Sequence, residues 1–235
     1  FFSYLLLRAE FPSGKKGVRA GGGKESESML SSIQRFVMFP LTVPFMSVIM
    51  TLGALFATLN TYVYIWAVQD LGASYQQIGI ATVVLNSCEV MIFLFSKRLS
   101  TRLGVHGVLY LSTTCYGIRL FAYGYWVSNA WWLVVFEPLH ALTFSLPMGS
   151  LGAFTTALAD AAQFSRVSAQ GFRTGTMNLG RAFGFLVSAW LYETFSPGVM
   201  FRAMGWLVMP MMMLSVVMVH RQAKKHGVVA LLYPE

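Results

Sequence analysis

The sequence predicts an all-α membrane protein with six transmembrane helices. Three observations carry that expectation: a charge-poor composition, six apolar stretches long enough to cross a bilayer, and basic residues gathered in alternate connections. Of the 235 residues, 56% are hydrophobic and 11% charged, whereas soluble domains carry roughly 25% charged residues. Mean hydropathy is +0.59. The net charge of +8 would point to nucleic acid only if it formed a basic face on a soluble domain. Here the charges sit between apolar runs, where the positive-inside rule accounts for them. The expected surrounding is therefore a lipid bilayer, and no nucleic acid is expected as a partner.

Residues 1–9 open on the apolar run Phe1–Leu7. It is shorter than the ~20 residues that a crossing needs, and it reads as the end of a truncated transmembrane helix. The chain starts on Phe rather than Met, in keeping with a fragment. Residues 10–35 form a flexible cytoplasmic linker: Gly21-Gly22-Gly23 and Lys24-Glu25-Ser26-Glu27-Ser28 have little apolar surface to bury. The transmembrane bundle follows over 36–220, and residues 221–235 form a cytoplasmic tail.

Within the bundle, the first span runs from about Leu41 to Val68 and stops at Asp70-Leu71-Gly72. The second covers about Gln77–Ser96 and the third Val105–Val127, joined by the basic stretch holding Lys97, Arg98 and Arg102. Ser128-Asn129 leads to the fourth span, about Ala130–Leu158. The fifth covers about Gln170–Tyr192 and the sixth Pro197–Val219. The clusters Arg8/Lys15/Lys16/Arg19/Lys24/Arg35, Lys97/Arg98/Arg102, Arg166/Arg173 and Arg221/Lys224/Lys225 all fall on one side. Both termini are then cytoplasmic, and the plasma membrane is the expected location.

Ionisable residues at bilayer depth cost about 2.5–3.5 kcal/mol on insertion scales. This chain carries Glu89, Arg119, Glu137, His140 and Arg181 there. Thr82, Asn86, Glu89 and Ser96 share a face of the second span. Ser112, Tyr116, Arg119 and Tyr123 do so on the third, and Gln170, Thr174, Asn178, Arg181, Ser188 and Tyr192 on the fifth. Such faces must turn to protein or to a water-filled cavity, so transport is the default expectation. The bland alternative is a set of buried staples between helices, with Arg119 snorkelling. The sixth span, with Met209, Met211, Met212, Met213 and Met218, has no polar stripe and is expected at the lipid-facing periphery.

In the fourth span Glu137 and His140 stand one above the other, and Pro138 removes a backbone donor between them. Broken helices at this depth line cavities or move, and a Glu–His pair on one face suits proton exchange. An interhelical hydrogen bond is the plainer reading. Gly171-x-x-x-Gly175 and Gly180-x-x-x-Gly184 have the small-xxx-small form of close packing, which would bring the fifth helix against neighbours on two sides. Asn60 and Tyr64 share a face with Gly53 and Ala57, and Asn60 is either a solute ligand or an interhelical hydrogen-bonding group. Cys88 and Cys115 lie inside apolar runs, with no disulfide framework and no metal spacing. No cofactor or metal is expected, and the absence of a nucleophile set argues against an intramembrane enzyme.

Several of these residues occur in an order that resembles the major facilitator superfamily. They are Leu59-Asn60-Thr61 through Leu71-Gly72-Ala73-Ser74, Ile78-Gly79, Glu89, Arg119, Glu137-Pro138-Leu139-His140, Ser168-Ala169-Gln170-Gly171 and Leu179-Gly180-Arg181-Ala182-Phe183-Gly184. The resemblance covers about Ser47–Gly205 and is closest to the associated-domain branch, related to lactose permease and the nucleoside–proton symporters. It implies that the six spans are the C-terminal half of a twelve-helix fold built as a 3+3 inverted repeat, whose partner is an N-terminal six-helix half. It further implies a secondary active transporter, a proton symporter of a small polar solute. Glu89, Glu137 and His140 would be the proton-coupling groups and Arg119 the counter-charge, with Asn60, Asn178 and Arg181 binding solute. The order on the fourth span is Glu before His, the reverse of lactose permease. The loop Ser96–Gly104 keeps only the basic character of the superfamily's Gly-x-x-x-Asp-Arg gating motif. The alternative function is a non-transporting receptor or scaffold on the same fold.

Overall fold

The computed structural model describes residues 29–225, all of whose regular structure is helical. The truncated helix expected over 1–9, the linker up to residue 28 and the tail from 226 lie outside the described residues. The helices are α1 (Met29–Met38), α2 (Thr42–Gln69), α3 (Tyr75–Tyr125), α4 (Trp132–Ala161), α5 (Arg166–Thr194) and α6 (Pro197–Lys225). Residues 29–35, read from composition as linker, are helical because α1 is amphipathic. Its Phe36 is fully buried and stacks on Phe164, with ring centroids 4.5 Å apart.

Helix α3 corrects the expected loop at Lys97–Leu103. Its start is fixed by a capping box, in which the Ser74 hydroxyl accepts from the Gln77 amide and the Gln77 side chain accepts from the Ser74 amide. Lys97, Arg98 and Arg102 are good helix formers, so the helix continues through them up to Leu103. A single residue, Gly104, then breaks it at φ 66°, ψ 169°. The register against α4 shows what that break does. Along the first arm, Glu89 meets His140 and Ser100 meets Ser150, so numbers rise together. Along the second arm, Ser112 meets Thr143 and Tyr123 meets Glu137, so numbers run oppositely. The two arms are therefore antiparallel, and the chain reverses at one glycine. This backbone region is open essentially to Gly alone. Gly104→Ala should cost about 1–3 kcal/mol and lower the melting temperature of the purified protein in detergent.

Among the described residues, four helices, α2, α3, α4 and α6, are long and apolar enough to cross a membrane. Helix α5 has the length, 29 residues, but its row of Gln170, Arg173, Thr174, Asn178 and Arg181 lowers its hydropathy. Tyr125, Trp126, Trp131 and Trp132 are all exposed where α3 turns into α4, as amphipathic rings are at a membrane–water interface.

Helix α2 is central. It packs along α5 and α6, while the second arm of α3 packs on α6 and both arms of α3 contact α4. The α2–α5 contact is backbone to backbone. A Cβ on Gly180 would strike the carbonyl of Met50, one on Gly184 that of Ala54, and one on Gly53 that of Met177. A Cβ on Gly171 or Gly175, in the same spacing, would meet nothing within 4 Å among the described residues. Only one of the two glycine pairs is thus a packing face, and the expected second contact is not made through the other. Thr58 and Ser188 hydrogen-bond across this seam at 2.8 Å. Helix α6 has no continuous polar stripe, and it buries Met200, Phe201, Met204 and Met212 while exposing Trp206, Leu207, Met211 and Leu214. It thus presents one face to the bundle and one outward.

Candidate functional site

The site begins with two irregular turns. In α4 the missing amide of Pro138 forces a 3-10 turn over Glu137–Leu139, and a π-turn over Ala141–Ser145 follows. His140 stands between them, so the break sets the directions of both Glu137 and His140. In α2 a second π-turn covers Thr58–Tyr62 and holds Asn60, which is half-buried. No proline or glycine marks that turn in the sequence.

Arg119, from the second arm of α3, is fully buried and joins the two α4 residues. Its Nη2 donates to Glu137 Oε1 at 2.7 Å, and its Nη1 lies 3.0 Å from His140 Nδ1 and 3.5 Å from Thr143 Oγ1. Glu137 is also the acceptor for two phenols: Tyr123 reaches Oε1 at 2.6 Å and Tyr64 reaches Oε2 at 3.2 Å. The carboxylate therefore takes three donors from two helices, α3 and α2, the arrangement that makes a buried charge tolerable. A guanidinium only donates, so His140 Nδ1 must be the acceptor and the ring proton sits on Nε2. That nitrogen lies 3.4 Å from Glu89 Oε1 on the first arm of α3. Glu89 is the partly exposed end of the chain of contacts, its side chain 19% accessible against 2% for Glu137.

The seven residues singled out from the sequence divide into two groups. Glu89, Arg119, Glu137 and His140 meet in one cluster. Asn60, Asn178 and Arg181 make no hydrogen bond within it. Asn178 is exposed, and Arg181 is half-buried with its Cζ 4.4 Å from the centre of the Phe56 ring. Phe56 in turn lies 5.8 Å from His140 and 5.0 Å from Phe144, and Phe144 stacks on His140 at 5.6 Å. Phe56, Phe144 and Thr143 carried no signal in the sequence beyond membership of apolar runs. Tyr64 and Tyr123 did share faces with Asn60 and Arg119, but nothing in their spacing paired them with Glu137. Among the described residues, no group of three or more His, Cys, Asp or Glu side chains could hold a metal ion.

A model of the MFS_1 like family matches residues 4–203 of the 235-residue chain. The chain belongs to the major facilitator superfamily. No solved structure matches it. As a superfamily member it is a membrane protein of a transporter family rather than of an enzyme family. The family match takes in the whole buried cluster, from Tyr64 to Thr143, together with Arg181.

Proposed function

We propose that this superfamily member is a secondary active transporter that moves a small polar solute together with protons by alternating access. The observation that supports this reading is the unbroken line of contacts from partly exposed Glu89 through His140 and Arg119 to buried Glu137. A proton reaching Glu89 removes the negative charge that faces His140 Nε2. Without that partner the neutral imidazole is free to turn, and a ring that presents Nε2–H in place of Nδ1 meets the Arg119 donors with a donor, which the 3.0 Å contact cannot hold. Arg119 must move, which loosens its hold on Glu137. Proton state and helix position are thereby linked through one imidazole and one guanidinium. Glu89, His140 and Glu137 are the proton-coupling groups and Arg119 is the counter-charge. Asn60, Asn178 and Arg181 serve the solute.

In this reading the two arms of α3 join α2, α4, α5 and α6 as six membrane crossings of a twelve-helix, associated-domain-type transporter. The basic clusters at Lys97–Arg102, Arg166/Arg173 and Arg221–Lys225 put both termini in the cytoplasm, with the plasma membrane as the site. The exposed polar face of α5, Thr174 and Asn178, fits a water-filled cavity against a second six-helix half. The rival reading, a receptor or scaffold, draws on the gating stretch 96–104, which lacks the acidic residue.

The test is proton uptake by the full-length protein in proteoliposomes under an imposed pH gradient, with sugars, nucleosides and carboxylates offered in turn. Glu89→Gln and His140→Gln should cut proton-driven accumulation about 10²-fold or more. Solute exchange at equal pH, which needs no net proton movement, should persist. Accumulation unchanged in both variants would remove the coupling roles, and no proton uptake with any solute would favour the receptor.

A further inference from the structure

Of the ionisable residues expected at bilayer depth, four carry full charges: Glu89, Glu137, Arg119 and Arg181. Arg119 and Glu137 are closed on one another at 2.7 Å, and His140 is neutral for the reason given above. The remaining two are unequal. Glu89 faces His140, but Arg181 has no hydrogen-bond or ion-pair partner among the described residues, and its Nε is shielded from solvent with nothing to donate to. It rests instead on the face of Phe56. A cation–π contact of that kind holds a guanidinium flat while leaving its donor edge free. A lone arginine at bilayer depth otherwise pairs, snorkels or lines a path for a charge.

We propose that the transported solute carries one carboxylate, which docks on Arg181 with its organic body against Phe56 and Phe144. This rests on the proton-coupled reading above and adds the substrate class. The charge count sets the stoichiometry. With Glu89 ionised, the four charges cancel. Once a proton neutralises Glu89, Arg181 is left in excess by one positive charge, and one monoanion restores the balance. The planar fork of the guanidinium suits a bidentate carboxylate, and the two phenylalanines give the solute an apolar wall. Because His140 meets Glu89 at its Nε2 edge and Phe144 on its ring face, the proton and solute positions adjoin the same ring. Each solute therefore carries one proton, and the loaded step moves no net charge.

The test uses the full-length protein in proteoliposomes with paired solutes whose uncharged forms cross lipid slowly: gluconate against gluconamide, and hippurate against hippuramide. The expected result is uptake of at least one acid over its amide by about tenfold or more, with protons entering alongside. A potassium diffusion potential set by valinomycin should leave the initial rate within about twofold, since no net charge moves. Arg181→Gln should lower acid uptake about tenfold or more, with Arg181→Lys recovering part of it. The comparison of acid with amide and the potential test both use the wild-type protein, so they stand even if a variant folds poorly. Amides carried as well as acids, a neutral sugar or nucleoside carried while both acids are refused, or uptake driven strongly by the potential would each overturn the carboxylate assignment. In those cases proton uptake still lost in His140→Gln would leave the coupled transporter intact. No proton uptake with any solute would remove both.

Discussion

Replacing Glu137 with Gln is expected to destabilise the protein by about 3–5 kcal/mol, because it strands Arg119 as an unmatched buried charge. Arg119 is fully buried and its strongest contact is the 2.7 Å pair with Glu137. The amide would still accept from Tyr123 or Tyr64, so the loss isolates the charge rather than the hydrogen bonds. Arg119→Gln alone should cost a similar amount, since it leaves the carboxylate with two phenols and no cation. The double variant should recover most of the loss, because neither charge is then left alone. Thermal melting of the purified protein in detergent, run as a double-mutant cycle, checks this. Additive losses in the double variant would show that the two residues do not act as a pair.

The second large effect is steric. Gly184→Ala would set a Cβ 2.5 Å from the Ala54 carbonyl oxygen, and Gly180→Ala would drive one into the Met50 carbonyl. Both obstacles are backbone, which cannot rotate aside as a side chain would, so α2 and α5 must separate along their seam. Each change should cost about 3 kcal/mol or more, at or beyond the upper end of ordinary overpacking. It should also weaken the Thr58–Ser188 hydrogen bond that spans the same seam. Gly171→Ala and Gly175→Ala are the internal control. With open space around both among the described residues, they should gain up to ~1 kcal/mol from helix propensity. Melting temperatures that fell equally for all four would reject the assignment of the packing face.

The contrast between these glycine pairs shows how far a sequence can be read. Both have the same spacing on the same helix, so periodicity alone ranks them equally. Only the placement of α2 against one face separates them. The break in α4 was legible because Pro138 lacks an amide, a property of the residue itself. The π-turn around Asn60 was not, since the residues Thr58–Tyr62 are ordinary helix occupants and the turn is held by packing. The stretch from Lys97 to Leu103 misled in a similar way. A run of charges beside apolar spans reads as a loop, yet nothing in Lys or Arg stops a helix that has water on its outer face.

By itself the sequence determined that this chain is helical, that it is built for a bilayer, and which ionisable residues fall inside its apolar stretches. Those follow from hydrophobic length, composition and the 3.6-residue repeat, all local properties. It also brought Glu137 and His140 to one face, because three residues are nearly one turn. The tertiary structure alone decided that Glu137, not Glu89, takes the Arg119 charge. It alone decided that His140 stands between the two carboxylates and that Arg181 rests on an aromatic ring with no ion-pair partner among the described residues. A helix face has a direction in its own frame but no neighbour until the helices pack, so charge pairing across helices is settled by that packing.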